Sequence, residues 1–327
     1  MKNRFSGCLL GGLVGDVLGA VVESESPTYI AKHYRHLGEL VAKDWVPDIL
    51  GRRWRVGRYT DDTQMTLCVV DWLLAKEHHD GQALLARFAE AYRPARRYGS
   101  GVSWILRAYP DRPHEWKALS TLMFPGGSYG NGSAMRVAPI GLAFHRQPQQ
   151  LVQVARLASS VTHSHPLAMA GSTLQAAAVA TALRMQPPLD HQAFLLSLQR
   201  TAARLGSHDY QAKLDAIQAG LARALTPAQM ASRLGTGVAA VEAVPMALYC
   251  FLSHPHHFER VIESAIFLGG DTDTIAAMAG SIAGAFLGEQ AIPRAWLARV
   301  REDEYPPGRI RRLAHQLSED FGASSLR

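Results

Sequence analysis

Two short acidic stretches carry residues that could do chemistry. In "YTDDTQMTL", residues 59–67, Asp61 and Asp62 stand side by side between Thr60 and Thr63; in "GGDTDTIAAMAG", residues 269–280, Asp271 and Asp273 flank Thr272 and precede Thr274. Each reads as a helix start, because Thr60 is a good N-cap and acidic residues in a first turn suit the helix dipole. Adjacent carboxylates exceed what a cap requires, and like charges held together are costly unless something neutralises them. Oxygen-only ligands suit a hard divalent cation such as Mg²⁺ or Mn²⁺. If the two helix mouths face each other, they make a two-metal centre that polarises a leaving oxygen and activates water. Prenyl-diphosphate chemistry also uses paired acidic motifs in helical proteins. It fits poorly here, because Met65 stands where the first motif needs its last Asp.

A second candidate is "FPGGSYGNGSAMRVAPIGLAF", residues 124–144, where Gly126, Gly127, Gly130 and Gly132 surround Ser128, Tyr129 and Asn131 ahead of a helix. Glycines let backbone amides approach a ligand, and a helix N-terminus favours an anion, so a diphosphate would fit. No Lys-Ser/Thr follows, so it is not a Walker loop. "RRYGSGVSW" supplies another glycine turn at Gly99 and Gly101, and His163 ends a helical run in "VTHSHP". A lone His in such a place is more often a capping or core residue than a catalytic one. His78-His79 and His256-His257 read as solvated loop pairs without the i,i+4 spacing of a helical metal site.

The elements that must position these residues are helical. Segments such as "DDTQMTLCVVDWLLAKEHH", "PQQLVQVARLASSVTHS" and "AMAGSTLQAAAVATALRMQ" repeat apolar residues at three- and four-residue spacing. Thr226-Pro227 reads as an N-cap followed by Pro at the first helical position. Only "ELVAKDWVPDILGRRWRVGRY", residues 39–59, admits strands. With 327 residues, 47% hydrophobic and 19% charged, the chain is expected to be all-α: a compact orthogonal helical bundle with a dimetal cleft. One domain is expected over residues 1–320, with a frayed tail at 321–327. The net charge of +6 favours anionic ligands, but no Lys/Arg block is long enough for a nucleic-acid arm. Cys8, Cys68 and Cys250 are isolated in apolar runs, as buried thiols in a reducing compartment would be. Asp16 interrupts the apolar N-terminal run, which argues against a secretory signal. The small-residue run from Ile275 to Gly288 is too short to span a bilayer. A cytoplasmic monomer that binds neither membrane nor nucleic acid is expected.

"GCLLGGLVGDVLGAVVE", "YTDDTQMTL", "GGSYGNGSAMRVAPIGL", "THSHPLAMAG", "GTGVAAVEAVPMALYCFL" and "FLGGDTDTIAAMAGSIAGAFLG" occur in the order found in ADP-ribosylglycohydrolases. The resemblance runs from about residue 5 to 290. It implies an all-α fold with a binuclear Mg²⁺ centre, Mn²⁺ being a possible substitute, and hydrolysis of the bond between ADP-ribose and an acceptor. Carried over, Thr60, Asp61, Asp62, Asp271, Asp273 and Thr274 would be the metal ligands. Glu23 would activate or position the attacking water, with Glu25 as the alternative, and Asp62 and Asp273 would share the catalytic work. Ser128, Tyr129, Gly130, Asn131 and Gly132 would hold the diphosphate and proximal groups. Gly99 and Gly101 would line the distal ribose pocket, and His163 would pack against or hydrogen-bond the ligand. The implied partners are ADP-ribose and an ADP-ribosylated protein or small molecule. The motifs look most like the serine-directed branch, which also accepts O-acetyl-ADP-ribose; an arginine-directed hydrolase and a non-catalytic relative are the alternatives.

Overall fold

Glycine at positions 7, 11, 15 and 19 leaves one stripe of the first helix, Lys2–Gly19, without side chains. That stripe lies directly against the helix Thr272–Leu287, running antiparallel to it, with Gly7 facing Gly284 and Gly19 facing Thr272. A Cβ on Gly11 would sit 2.3 Å from the Gly280 carbonyl oxygen, and one on Gly15 would sit 2.1 Å from that of Ala276. Close backbone approach of this kind is why small residues gather at tight helix crossings, here inside a polypeptide core.

The computed structural model describes residues 1–47, 51, 53–302 and 304–322. Among them are eighteen α-helices, five short 3₁₀ turns and one two-stranded sheet. The all-α reading holds. The stretch that admitted strands forms a small antiparallel hairpin, Trp45–Pro47 with Arg53–Arg55, whose alternation turns Val46 and Trp54 inward. Residues 48–50 and 52 of that stretch lie outside the described residues.

Local signals explain the helix starts. Thr60 caps Asp61–Leu74 by accepting from the Asp62 N–H, and Thr226 forms a full capping box with Gln229 ahead of Pro227–Leu234. The helix Pro166–Arg184 is long and apolar enough to cross a bilayer, yet 83% of its most apolar 18-residue window is buried within the fold, where it serves as a core helix. The last helix, Pro307–Gly322, packs on the first. It takes in Phe321, whose ring lies 5.6 Å from that of Phe144, while residues 323–327 of the expected tail lie outside the described residues.

All three cysteines are buried and unpaired, and burial pushes the Cys68 thiol up to about 12. One expectation needs correction. His78 is half-buried, its ring 5.3 Å from Phe144, because the last helix folds back over the loop, whereas His79 is exposed as expected. His256 and His257 are exposed as expected.

The bare stripe gives a direct test. Gly15→Val should lower stability by about 3 kcal/mol, the upper part of the usual overpacking range, because the added atoms meet backbone that cannot swing aside. Thermal melting checks this, and a melt matching the parent chain would refute the close packing of these two helices.

Candidate active site

The strongest constraint on the site comes from Asp16, which the sequence reading treats only as an interruption. Asp16 is fully buried on the first helix. Its carboxylate accepts from the Thr60 N–H at 3.0 Å, Thr60 Oγ1 at 2.9 Å, the Thr63 N–H at 3.0 Å and Thr63 Oγ1 at 2.6 Å. One helix thereby caps the N-terminus of another, and a buried carboxylate finds the donors that make its burial tolerable. A lone Asp in an otherwise apolar helix is the sequence signal for such an arrangement. The chain entering this cap is pinned as well. Arg96 donates to Glu302 at 2.5 and 2.8 Å and to the Tyr59 carbonyl at 2.7 Å, and its guanidinium lies 3.9 Å from the Tyr59 ring centre.

Beyond the cap opens a cleft of about 300 Å³. Glu23, Asp61, Asp62, Asp271, Asp273 and Thr274 line its acidic side. Ligand-capable oxygens of Glu23, Asp271 and Asp273 lie within 4.8 Å of one another, a group that could hold a metal ion. Asp62 joins the two helix mouths, because its Oδ2 accepts from Thr60 Oγ1 at 3.1 Å and from Thr274 Oγ1 at 3.4 Å. Its Oδ1 is buried with no hydrogen-bond partner. A buried carboxylate oxygen left unpaired is expensive, and a cation between the carboxylates would satisfy it. The donor set therefore fits a hard divalent ion.

Electrostatics agree with that fit. Burial, followed by the neighbouring carboxylates, holds Asp61, Asp62 and Asp273 well above the usual carboxylate range. Burial also raises Glu23, while Arg97 opposes the rise through an ion pair of 2.9 Å. Of the two glutamates the sequence offered, Glu23 stands inside the tight carboxylate group, whereas Glu25 does not line the cleft. Thr60 lies behind the cleft wall, fully buried, with its hydroxyl committed to Asp16 and Asp62.

The opposite wall contains Gly99, Gly101, Ser128, Gly130, Asn131, Gly132 and His163. Gly126 and Gly127 turn the loop with φ of +86° and +87°, in the left-handed region that favours glycine. Asn131 Nδ2 donates to Asp271 Oδ2 at 2.5 Å, so loop and acidic group are directly joined. Tyr129 is the exception among the expected contacts. Its side chain is 58% exposed, lies edge-on to His165 and does not line the cleft, because its backbone carbonyl is tied to the Ala240 N–H. The loop also runs into a 3₁₀ turn, Asn131–Ser133, so no long helix N-terminus stands immediately behind it.

His163 is buried beneath Gly132, where a Cβ would meet its ring at 2.7 Å. Burial, aided by the Arg136 charge, lowers His163 to about 3, so the ring is neutral. Arg136, fully buried, donates to the Gly132 carbonyl at 3.2 Å and to Thr162 Oγ1 at 2.8 Å; that hydroxyl lies 2.8 Å from His163 Nδ1. The sequence reading missed Arg136, although an Arg inside "GSAMRVAPIGL" is as conspicuous as Asp16.

The sequence profile of ADP-ribosylglycohydrolase matches residues 1–326. ADP-ribosylhydrolase ARH3 of Bos taurus is 38% identical, over 90% of this chain and 87% of that protein. The Homo sapiens ARH3 is 36% identical, over 90% and 88% respectively. The ADP-ribosyl-dinitrogen reductase glycohydrolase of Rhodospirillum rubrum is 29% identical, over 92% and 91%. A solved structure, an ADP-ribosylglycohydrolase-related protein complex, superposes with a TM-score of 0.67 at 26% identity, covering 98% of both chains. The chain belongs to the ADP-ribosylglycohydrolase family. It is an ADP-ribosyl glycohydrolase that acts on ADP-ribosylated substrates, and its buried acidic group could hold the metal.

Two outcomes follow from the charges. Millimolar Mn²⁺ should raise the melting temperature, a cation at a hundred times its Kd adding about 2.7 kcal/mol. The gain should shrink toward pH 5 as protons compete for the raised carboxylates, and Asp62→Asn should remove most of it. A melt unaffected by Mn²⁺ and EDTA would refute the fit.

His163 has the sign of a depressed base. Its stabilising contribution is fully present above 6.5 and is lost as pH falls toward about 3. Denaturant titration should therefore show the parent chain losing about 2 kcal/mol more than His163→Gln between pH 7 and pH 5. Equal losses would show that His163 charges freely in the fold.

Proposed function

We propose that the protein hydrolyses the glycosidic bond joining ADP-ribose to a serine side chain or to the acetyl group of O-acetyl-ADP-ribose. What supports the acceptor assignment is that two motifs resembling the serine-directed branch meet at the cleft. "GSYGNGSAMR" and "GTGVAAVEAVPMALYCFL" are bridged by the Asn131 N–H to the Val238 carbonyl at 2.9 Å and the Ala240 N–H to the Tyr129 carbonyl at 3.0 Å. Val238, Gly130 and Asn131 all face the cleft. The greater identity to ARH3 than to the Rhodospirillum rubrum glycohydrolase favours the same branch.

Within this reading Asp61, Asp62, Asp271, Asp273 and Thr274 hold two Mg²⁺ ions, replaceable by Mn²⁺, and Thr60 orients Asp62 from behind. Bound there, the cations would stabilise charge at the reacting ribose. Glu23 orients the attacking water and takes its proton, a task suited to a carboxylate raised by burial. Asp62 and Asp273 keep the ribose end of the cleft anionic. The loop of Ser128, Gly130 and Gly132 would hold the diphosphate, with the Gly130 N–H tied to Ser128 Oγ at 3.2 Å, and Gly99 and Gly101 leave room for the distal ribose. Neutral His163 supports the loop and contacts the ligand without adding charge. The chain works as one domain over residues 1–320, since both halves of the cleft depend on the first helix.

The test is ADP-ribose release from matched serine-linked and arginine-linked peptides, with Mg²⁺ and with EDTA. Metal-dependent release from the serine peptide is expected, with Glu23→Gln slowing it by at least a hundredfold. Release from the arginine peptide alone would transfer the assignment to that linkage. A folded, Mg²⁺-loaded chain inactive on both peptides and on O-acetyl-ADP-ribose would overturn the serine and acetyl reading.

A further inference from the structure

Among the described residues lining the cleft, Arg97 is the one cationic side chain, since His163 is neutral. Its backbone adopts φ +64° and ψ +28°, a left-handed conformation uncommon for any residue but glycine. Such a position is strained for an Arg, so the side chain must be held by its surroundings. Three segments meet at it. Nη1 donates to the Ala20 carbonyl at 2.8 Å, at the C-terminus of the first helix, where a cation suits the dipole. The same nitrogen donates to Glu23 Oε2 at 2.9 Å. The guanidinium carbon lies 4.0 Å from the centre of the Trp54 ring, supplied by the small hairpin. The two paired side chains are sheltered, Arg97 at 10% and Glu23 at 23% exposure.

Glu23 needs such a partner. It stands with Asp271 and Asp273 in a group whose oxygens lie within 4.8 Å, and mutual repulsion would drive its side chain outward. Backbone bonds from the Ser24 N–H to the Gly270 carbonyl and from the Gly270 N–H to the Glu25 carbonyl fix where the residue sits. They do not fix where its carboxylate points. We propose that Arg97, seated on Trp54, is a positioning residue that holds the Glu23 carboxylate over the acidic group. The small hairpin thereby acquires a role in the reaction. This rests on the reading of Glu23 as the group that orients the attacking water.

A double-mutant cycle tests it, using Arg97→Gly, Glu23→Gln and the pair. Glycine suits the left-handed backbone and offsets part of the lost ion pair and Trp54 stack, so Arg97→Gly should remain folded with a moderately lower melting temperature. On the serine-linked ADP-ribosyl peptide it should lower kcat about tenfold and change KM less than twofold. In the Glu23→Gln background it should have no further effect on kcat. Arg97→Lys keeps the charge without the planar fork and should recover only part of the loss. In the metal-free chain, amide exchange over residues 20–25 should quicken in Arg97→Gly and not in Glu23-independent segments such as 166–184. If Glu23→Gln slows turnover but the two substitutions act additively, the positioning role fails while the reading of Glu23 stands. If Glu23→Gln leaves turnover unchanged, the reading of Glu23 fails first. Full activity in Arg97→Lys would show that a point charge suffices and would overturn the stacked geometry.

Discussion

The contact between the first helix and the helix Thr272–Leu287 is the constraint on which the site depends. With no side chains on the Gly7, Gly11, Gly15 and Gly19 stripe, the two backbones come close enough that any Cβ would collide with a carbonyl or its neighbours. That closeness brings Thr272 Oγ1 to the Gly19 carbonyl at 2.8 Å, so the mouth of one helix abuts the end of the other. Glu23, just past the first helix, is thereby seated beside Asp271 and Asp273, and its carboxylate pairs with Arg97 at 2.9 Å. On a different side of the same helix Asp16 captures Thr60 and Thr63 and delivers Asp61 and Asp62 to the same place. One helix therefore assembles two acidic segments separated by about two hundred residues.

Collecting so much negative charge in a buried place opposes folding, and the surrounding structure shows how the opposition is contained. Thr60 and Thr274 donate to one Asp62 oxygen, Asn131 to one Asp271 oxygen and Thr63 to Asp16, and Arg97 supplies a nearby positive charge. What is left over, the unpaired Asp62 Oδ1 and the raised carboxylates, is the capacity available to a cation. The facing wall is arranged in the opposite manner. Arg136 is buried out of reach and spends its hydrogen bonds on the loop and on Thr162, leaving the surface that faces ligand neutral. An acidic wall that could hold a metal and a neutral wall opposite it are compatible with an ADP-ribosylated substrate lying between them.

Much of this was legible before any coordinates. The helical class followed from apolar spacing, and the excess of carboxylates at two helix mouths marked the acidic group without reference to shape. Glycines in the 124–132 loop marked a backbone-lined turn. Motif membership does not say which way each side chain turns: the Thr60 hydroxyl donates to Asp16, and the Tyr129 ring lies edge-on to His165. Asp16 and Arg97 were passed over because their partners are distant in sequence, Thr60 and Thr63 for one and Glu23 and Trp54 for the other.

By itself, then, the sequence determined what is local: helix periodicity, caps such as Thr60 and Thr226, and the chemical type of the candidate ligands. These depend on neighbours within a turn or two, where residue spacing and chemistry suffice. Only the tertiary structure decided which oxygens converge, which hydroxyls are already spent, and that an arginine in a left-handed turn stands beside Glu23. Those outcomes depend on contacts between segments remote along the chain. They become definite once backbone packing at the glycine stripe sets the distance between helices to within what a hydrogen bond or a metal can span.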